Sequence, residues 1–275
     1  MPERDRLRQP ARMTPPDGHA GRLLRQWRER RHRSQLDLSI SAGISTRHLS
    51  YVETGRSTPS RAMIERLSDE LDVPLRDRNA IYLAAGFAPV HRERALAELG
   101  PARAAVEAVL RGHEPNPSVA VNARWELLAA NAAMERFLAA IPSELRAPPL
   151  NMMRVTLHPA GLAGRLVDAA RWRASALRRV RRQLERVADP VLADLLAELE
   201  SYPAPPTGES DTPAEIDDIV TPMRLAAEGG ELSFLYAVTV FGSPRDVTLD
   251  EIAIETFFPA DDLTREALAA MASSV

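Results

Sequence analysis

Arg47 sits in the run Ser45-Thr46-Arg47-His48, where a guanidinium can donate two parallel hydrogen bonds to O6 and N7 on the edge of a guanine. Thr46 beside it can hydrogen-bond a base or touch a thymine methyl. Gln35, Arg56 and Arg61 suit phosphate oxygens, which position a protein on a duplex without reading its sequence. The second half of the chain offers a different chemistry. Met152, Met153, Leu157, Trp172, Phe234 and Tyr236 are large apolar or aromatic side chains able to wall a small-molecule pocket. His158 can hydrogen-bond an effector carboxylate or titrate near its ordinary pKa of about 6.5. Plain core is the blander reading of the apolar residues, and a fixed loop histidine that of His158.

Catalytic patterns are missing: the chain has no Gly-rich phosphate loop, no HExxH and no Gly-x-Ser-x-Gly elbow. His19, His32, His48, His91, His113 and His158 are scattered, and the acid pairs Asp217-Asp218 and Asp261-Asp262 lie in polar stretches that favour solvent over acid–base work. With no cysteine there is no disulfide, thiolate zinc site, iron–sulfur cluster or cysteine nucleophile. The expectation is a protein that is not an enzyme and carries no cofactor and no metal.

The elements that must position these residues fall into two regions of opposite charge. Residues 1–94 hold 18 Arg against 12 Asp and Glu, a balance of +6, whereas residues 95–275 hold 17 against 26, a balance of −9. A basic front on an acidic body can meet DNA with one end only. All 35 basic residues are Arg, which fits a GC-rich coding genome more simply than a selected arginine chemistry. No stretch of about 18 apolar residues and no signal-like leader occurs, so neither membrane nor export is expected, and the setting is read as cytoplasmic.

Residues 1–18, rich in Pro and charge, read as a flexible tail, with a basic arm to DNA as the alternative. A first helix carries Leu23, Leu24 and Trp27. A second follows Ser34 with Leu36, Leu38, Ile40 and Ala42 as its apolar positions and ends at Gly43. Ser45 caps a third helix over 46–54 with Leu49 and Val52 inward and Gly55 at its end, the two short helices and their glycine turn making a helix-turn-helix. Pro59-Ser60 opens a fourth, and Ile81 to Ala85 a fifth that stops at Gly86.

Ser34-Gln35, Ala42-Gly43-Ile44-Ser45, Glu53-Thr54-Gly55-Arg56 and Pro59-Ser60 occur together at a spacing that resembles the XRE, or phage-repressor, class of helix-turn-helix domains. The resemblance implies an all-α, lambda-repressor-like domain over 19–90 whose third helix enters the major groove. Carried over by position, Ser45, Thr46, Arg47, His48 and Tyr51 are the base-reading candidates, with Gln35, Arg56 and Arg61 on the phosphates. Glu53 reads as structural, since phosphates would repel it.

After a connector over 91–104 with more helix near 101–110, Ser118 to Val121 and residues 125–129 read as a strand pair around Asn122-Ala123-Arg124, with Trp125 on the second strand as core. Asn131 caps a following helix. Helices are expected over 162–187 and 190–199, and strands over 232–240 and 249–257 with Gly242-Ser243-Pro244 in the turn between them. Arg171, Arg173, Arg178, Arg179, Arg181, Arg182 and Arg186 read as a solvated helix paired with the acid-rich tail, against the alternative of a second DNA or phosphate site.

Pro115-Asn-Pro117, Trp125-Glu-Leu-Leu128 with Ala-Ala-Asn131, Asn151-Met-Met-Arg154, Leu157-His-Pro159 and the final strands resemble the PAS-like ligand-binding domain of MmyB-like transcription regulators over 105–262. This chain has Ala130 where many relatives carry an aromatic residue. The resemblance implies an α+β sheet-and-helix domain that takes a small apolar or fatty-acid-like effector, followed by a helix or tail over 263–275.

Taken together the expectation is a DNA-binding, effector-sensing transcription regulator, acting as a repressor and a homodimer on double-stranded operator DNA. The alternative makes the second domain a dimerisation or protein-interaction module without an effector, and a further one makes it a DNA-tethered enzyme.

Overall fold

A computed structural model describes residues 19–187, 189–204, 222–227, 229–242 and 246–273. The expected tail over 1–18, the Asp217-Asp218 pair and the Ser243-Pro244 part of the turn lie outside the described residues. The chain divides into two compact units, Met1–Arg92 and Glu93–Val275.

Five helices build the first unit: α1 (Ala20–Arg30), α2 (Gln35–Ser41), α3 (Thr46–Glu53), α4 (Arg61–Glu70) and α5 (Leu75–Ala84). Ser34, Ser45 and Ser60 each accept the backbone N–H three residues on, the N-cap bond that meets one of the donors a helix start leaves free. Gly43 at φ +62° makes the turn between α2 and α3, a left-handed backbone that a side chain resists. Leu24, Trp27, Leu38, Leu49, Val52, Ile64, Leu67 and Ile81 close the core. The apolar face of α2 is narrower than its sequence suggests. Leu38 and Ala42 are buried, but Leu36 and Ile40 are 58% and 70% exposed, because residues spaced by two cannot share one face of a seven-residue helix.

The second unit begins with α6 (Pro101–Gly112), β1 (Ser118–Val121), β2 (Leu127–Ala130), α7 (Ala132–Ala139) and α8 (Met152–Leu157). It continues with α9 (Ala169–Val187), α10 (Pro190–Ser201), β3 (Met223–Ala227), β4 (Gly230–Val240), α11 (Val247–Glu251), β5 (Ala253–Pro259) and α12 (Asp262–Ser273). The strands form one antiparallel sheet in the order β2-β1-β5-β4-β3, which gives the unit its α+β, PAS-like character. Side chains alternate across the sheet. Val119, Val121, Leu232 and Phe234 face α7 to α10, whereas Ala120, Ile252 and Ile254 pack with Val106 and Leu110 of α6.

Several expectations change here. Trp125 is buried but stands in the turn before β2 with φ +59°, not on a strand. The stretch expected to be strand from Leu249 starts as α11, capped by Asp246, so β5 opens only at Ala253. Helix α9 starts at Ala169, after a short 3-10 turn over Ala163–Arg165. Strand β3 and helix α8 were not anticipated, β3 because its alternation is confined to Met223, Arg224 and Leu225, too short a run to mark a strand.

Candidate nucleic-acid interface and effector pocket

Helix α3 presents its first turn to solvent: Ser45 and Arg47 are exposed, and Thr46, His48 and Tyr51 are partly so. Ser45 is the cap, its Oγ accepting the His48 N–H at 3.2 Å. Thr46 Oγ1 shares a 2.8 Å hydrogen bond with Ser39 Oγ of α2. Arg47 Nε donates to Tyr51 Oη at 3.0 Å, and the guanidinium carbons of Arg47 and Arg56 lie 5.4 and 5.8 Å from the Tyr51 ring centre. Tyr51 thus gathers two exposed cations along one edge of the helix, contacts weak enough at the surface to be exchanged for a stronger partner. Arg61 is exposed with its guanidinium 4.8 Å from the Phe87 ring.

The inner side of α3 is pinned by charge. Glu53 is 4% exposed and takes two hydrogen bonds from Arg28, Nε to Oε1 at 2.7 Å and Nη2 to Oε2 at 2.9 Å. The hydrogen bond to Glu53 raises the Arg28 pKa above its ordinary value, so the guanidinium keeps its charge. Gln35 Nε2 completes the cluster by donating to Glu53 Oε2 at 2.7 Å, so this amide is engaged in joining α2 to α3. Gly21 permits the close packing of α1 on α3, since a Cβ there would lie 1.7 Å from the Val52 carbonyl oxygen.

In the second unit a pocket lies between the sheet and its covering helices. Met134 and Phe137 come from α7, and Met152, Met153 and Thr156 from α8. Trp172, Ala176 and Arg179, at i, i+4 and i+7, come from one face of α9. Met223, Leu225, Phe234, Glu255 and Phe257 close it from the sheet. Aromatic rings meet edge to face at Phe137–Phe234 (6.0 Å) and Phe234–Phe257 (6.4 Å), the geometry their quadrupoles favour. The charged part of the wall is an ion pair between Arg179 and Glu255, with Arg179 also 4.7 Å above the Tyr236 ring.

Of the residues singled out in the sequence as walls, Met152, Met153, Trp172 and Phe234 line this pocket. Leu157 is buried in the surrounding core, and Tyr236 packs against the wall, edge-on to Trp172 at 5.7 Å. His158 stands apart: its Nδ1 accepts the Ala160 N–H at 3.1 Å and its ring meets Tyr202 edge-on at 5.1 Å. Asn131 is held as a cap, its Oδ1 accepting from Met134 and Ser118 while Nδ2 donates to the Asn116 carbonyl. Arg179 and Arg181 of the basic helix pair with Glu255 and Glu200, and Arg173 donates to carbonyls at the end of α10 and to that of Tyr202. Sequence reasoning missed Met134, Phe137, Glu255 and Phe257. The alternation Ala253, Glu255, Phe257 carried that signal, but it reads correctly only once β5 is known to begin at Ala253.

Among the described residues no cluster of three metal-ligating side chains occurs, and no helix is long and apolar enough to cross a membrane. No curated protein matches the chain. A solved structure described as an RNA-binding light-oxygen-voltage receptor is 12% identical over 92% of this chain, with a TM-score of 0.27. The chain spans 63% of that protein's length, and so loose a likeness bears on neither fold nor function. Two family models match, both describing regulator or DNA-binding domains and not enzymes. Residues 19–81 match a helix-turn-helix domain, and residues 102–271 match the MmyB-like transcription regulator ligand binding domain. With an exposed helix-turn-helix in one unit and, in the other, a pocketed α+β fold matched over more than half the chain, this protein belongs to the MmyB-like transcription regulators.

Proposed function

We propose that the chain is a cytoplasmic one-component repressor whose α3 reads an operator in the major groove and whose second unit senses a small apolar effector. The observation that carries the DNA reading is the solvent-facing first turn of α3, with Arg47 exposed beside Thr46 while Glu53 anchors the opposite face. Ser45, Thr46, Arg47, His48 and Tyr51 are the base-reading set. Arg56 and Arg61 serve the phosphates through their side chains, and Gln35 does so through its backbone N–H at the start of α2. The protein acts as a homodimer on half-sites about one helical turn, or a multiple of it, apart. The apolar pocket lined by Met152, Met153, Trp172 and Phe234 supports the sensing role. Effector and operator are coupled only as far as the effector binds one arrangement of the dimer more tightly than another.

Selection of bound duplexes from a random pool tests the reading: an enriched, two-fold symmetric site supports it, and a pool that stays random overturns it. The exposed Leu235, Val238 and Val240 on β4 favour a second reading, in which this unit is a dimerisation or interaction module without an effector. Native mass spectrometry of protein from its host separates the two, since a retained small-molecule mass supports sensing and a bare dimer the module.

A further inference from the structure

Helix α9 carries more arginine than its own unit engages. Arg179 and Arg181 meet Glu255 and Glu200, and Arg173 donates to backbone carbonyls. Arg178, Arg182 and Arg186 are exposed and, among the described residues, have no hydrogen-bond or ion-pair partner. Spaced by four, they stand in one row along the helix, about 6 Å apart at a rise of about 1.5 Å per residue. Glu185 is the one acid of α9 and lies exposed beside the row, while Asp189 just beyond it is held by Arg124 and by the Val191 N–H that it caps. Like charges four residues apart destabilise a helix, a cost that an anion lying along the row removes. The surrounding region is acidic, with 17 Arg against 26 Asp and Glu over residues 95–275, so this row is not a by-product of a basic surface.

Resting on the DNA-binding reading of the first unit, we propose that Arg178, Arg182 and Arg186 make a second contact with the duplex, donating to backbone phosphates outside the base pairs that α3 reads. The guanidinium fork fits phosphate oxygens, and a duplex carries a phosphate about every 1.7 Å of its axis, so a row about 12 Å long lies along several of them. The two units follow one another directly, Met1–Arg92 and Glu93–Val275, so a duplex held by α3 is tethered to the second unit at high local concentration. Contacts of this kind add affinity without sequence preference.

Binding of the full chain to an arbitrary duplex of about 40 base pairs, followed by fluorescence anisotropy from about 50 to about 200 mM salt, tests it. The triple variant Arg178→Gln, Arg182→Gln, Arg186→Gln should flatten the fall of log affinity with log salt by about 0.9 per lost contact, and weaken binding about tenfold or more at low salt. Glutamine keeps the helix propensity of arginine, so the variant preserves α9. A control triple of exposed residues, Arg103→Gln, Arg111→Gln and Arg146→Gln, removes the same charge from the same unit and should leave the slope within about 1 of the unaltered chain. A row variant with the unaltered slope overturns the inference and leaves the reading of α3 in place; this is the result if residues 209–218, with five acids and no base, occupy the row instead. A control that flattens the slope as much as the row variant overturns it too, the effect then being one of net charge. Loss of binding to vesicles of equal phosphatidylserine and phosphatidylcholine in the row variant, with the DNA slope unchanged, assigns the row to a lipid surface and overturns it as well. If the unaltered chain binds no duplex, the inference and the DNA reading fall together.

Discussion

The two units bury charge to opposite ends. In the helix-turn-helix unit Arg28, Gln35 and Glu53 form a closed cluster whose hydrogen bonds all serve to hold α1, α2 and α3 in one geometry. In the second unit the Arg179–Glu255 pair stands in the wall of an open space. A reader of base edges gains from a rigid frame that delivers side chains within a fraction of an ångström. A sensor instead keeps room that a ligand fills, and methionines in its wall adapt to irregular shapes. The same kind of ion pair therefore braces three helices in one place and borders open space in the other.

Breaking the brace is the severest test. Glu53→Ala leaves the Arg28 guanidinium buried without a counter-ion and should cost about 3–5 kcal/mol. Thermal unfolding followed by fluorescence should show the signal of Trp27 lost early while that of Trp125 and Trp172 is retained. A common shift of both signals would mean that the two units do not differ as argued. Gly21→Ala, whose added Cβ meets the Val52 carbonyl at 1.7 Å, should cost about 3 kcal/mol by forcing α1 away from α3, measured by urea unfolding. Arg47→Ala acts on the outer face alone. Operator affinity should fall by about 1–3 kcal/mol with relaxed preference at one base pair, and unfolding should be unchanged. An unchanged affinity at fixed salt would remove Arg47 from the base-reading set.

The smallest effect concerns pH. Burial, aided by the hydrogen bond from Tyr202 Oη to Glu198 Oε1 at 2.6 Å, pushes the Tyr202 pKa up to about 12. The unfolded chain titrates near 10, so the folded state holds this proton more tightly. The contribution is complete below the unfolded value and is lost as pH rises through about 12. Melting of the second unit should fall across that window, and Tyr202→Phe should flatten the fall. Tyr82 in the first unit is raised by burial too, so the variant is what assigns the loss.

Legibility in the sequence depends on the span of the interactions. The caps Ser34, Ser45 and Ser60, the turn glycines and the inward positions Leu49 and Val52 act within a few residues, so their order along the chain nearly dictates their geometry. The role of Glu53 as a structural residue was likewise readable from its type, although its partners Arg28 and Gln35 were not. In the second unit Asn131 was readable as a cap for the same local reason. The pocket was read only in part. Met152, Met153, Trp172 and Phe234 are conspicuous by size, whereas Glu255 faces Arg179 across 76 positions of chain and sits on a strand whose start was misplaced by α11.

By itself, then, the order of residues determined a basic helix-turn-helix and an acidic sheet-and-helix partner, because helical periodicity, capping and charge balance are local or additive. Tertiary structure alone decided the pairing of β1 with β5, the face on which Glu255 lies, and the meeting of Trp172 with open space. Those depend on register between distant strands, where a shift of one residue sends every side chain to the opposite face, and no stretch of sequence read alone sets that register.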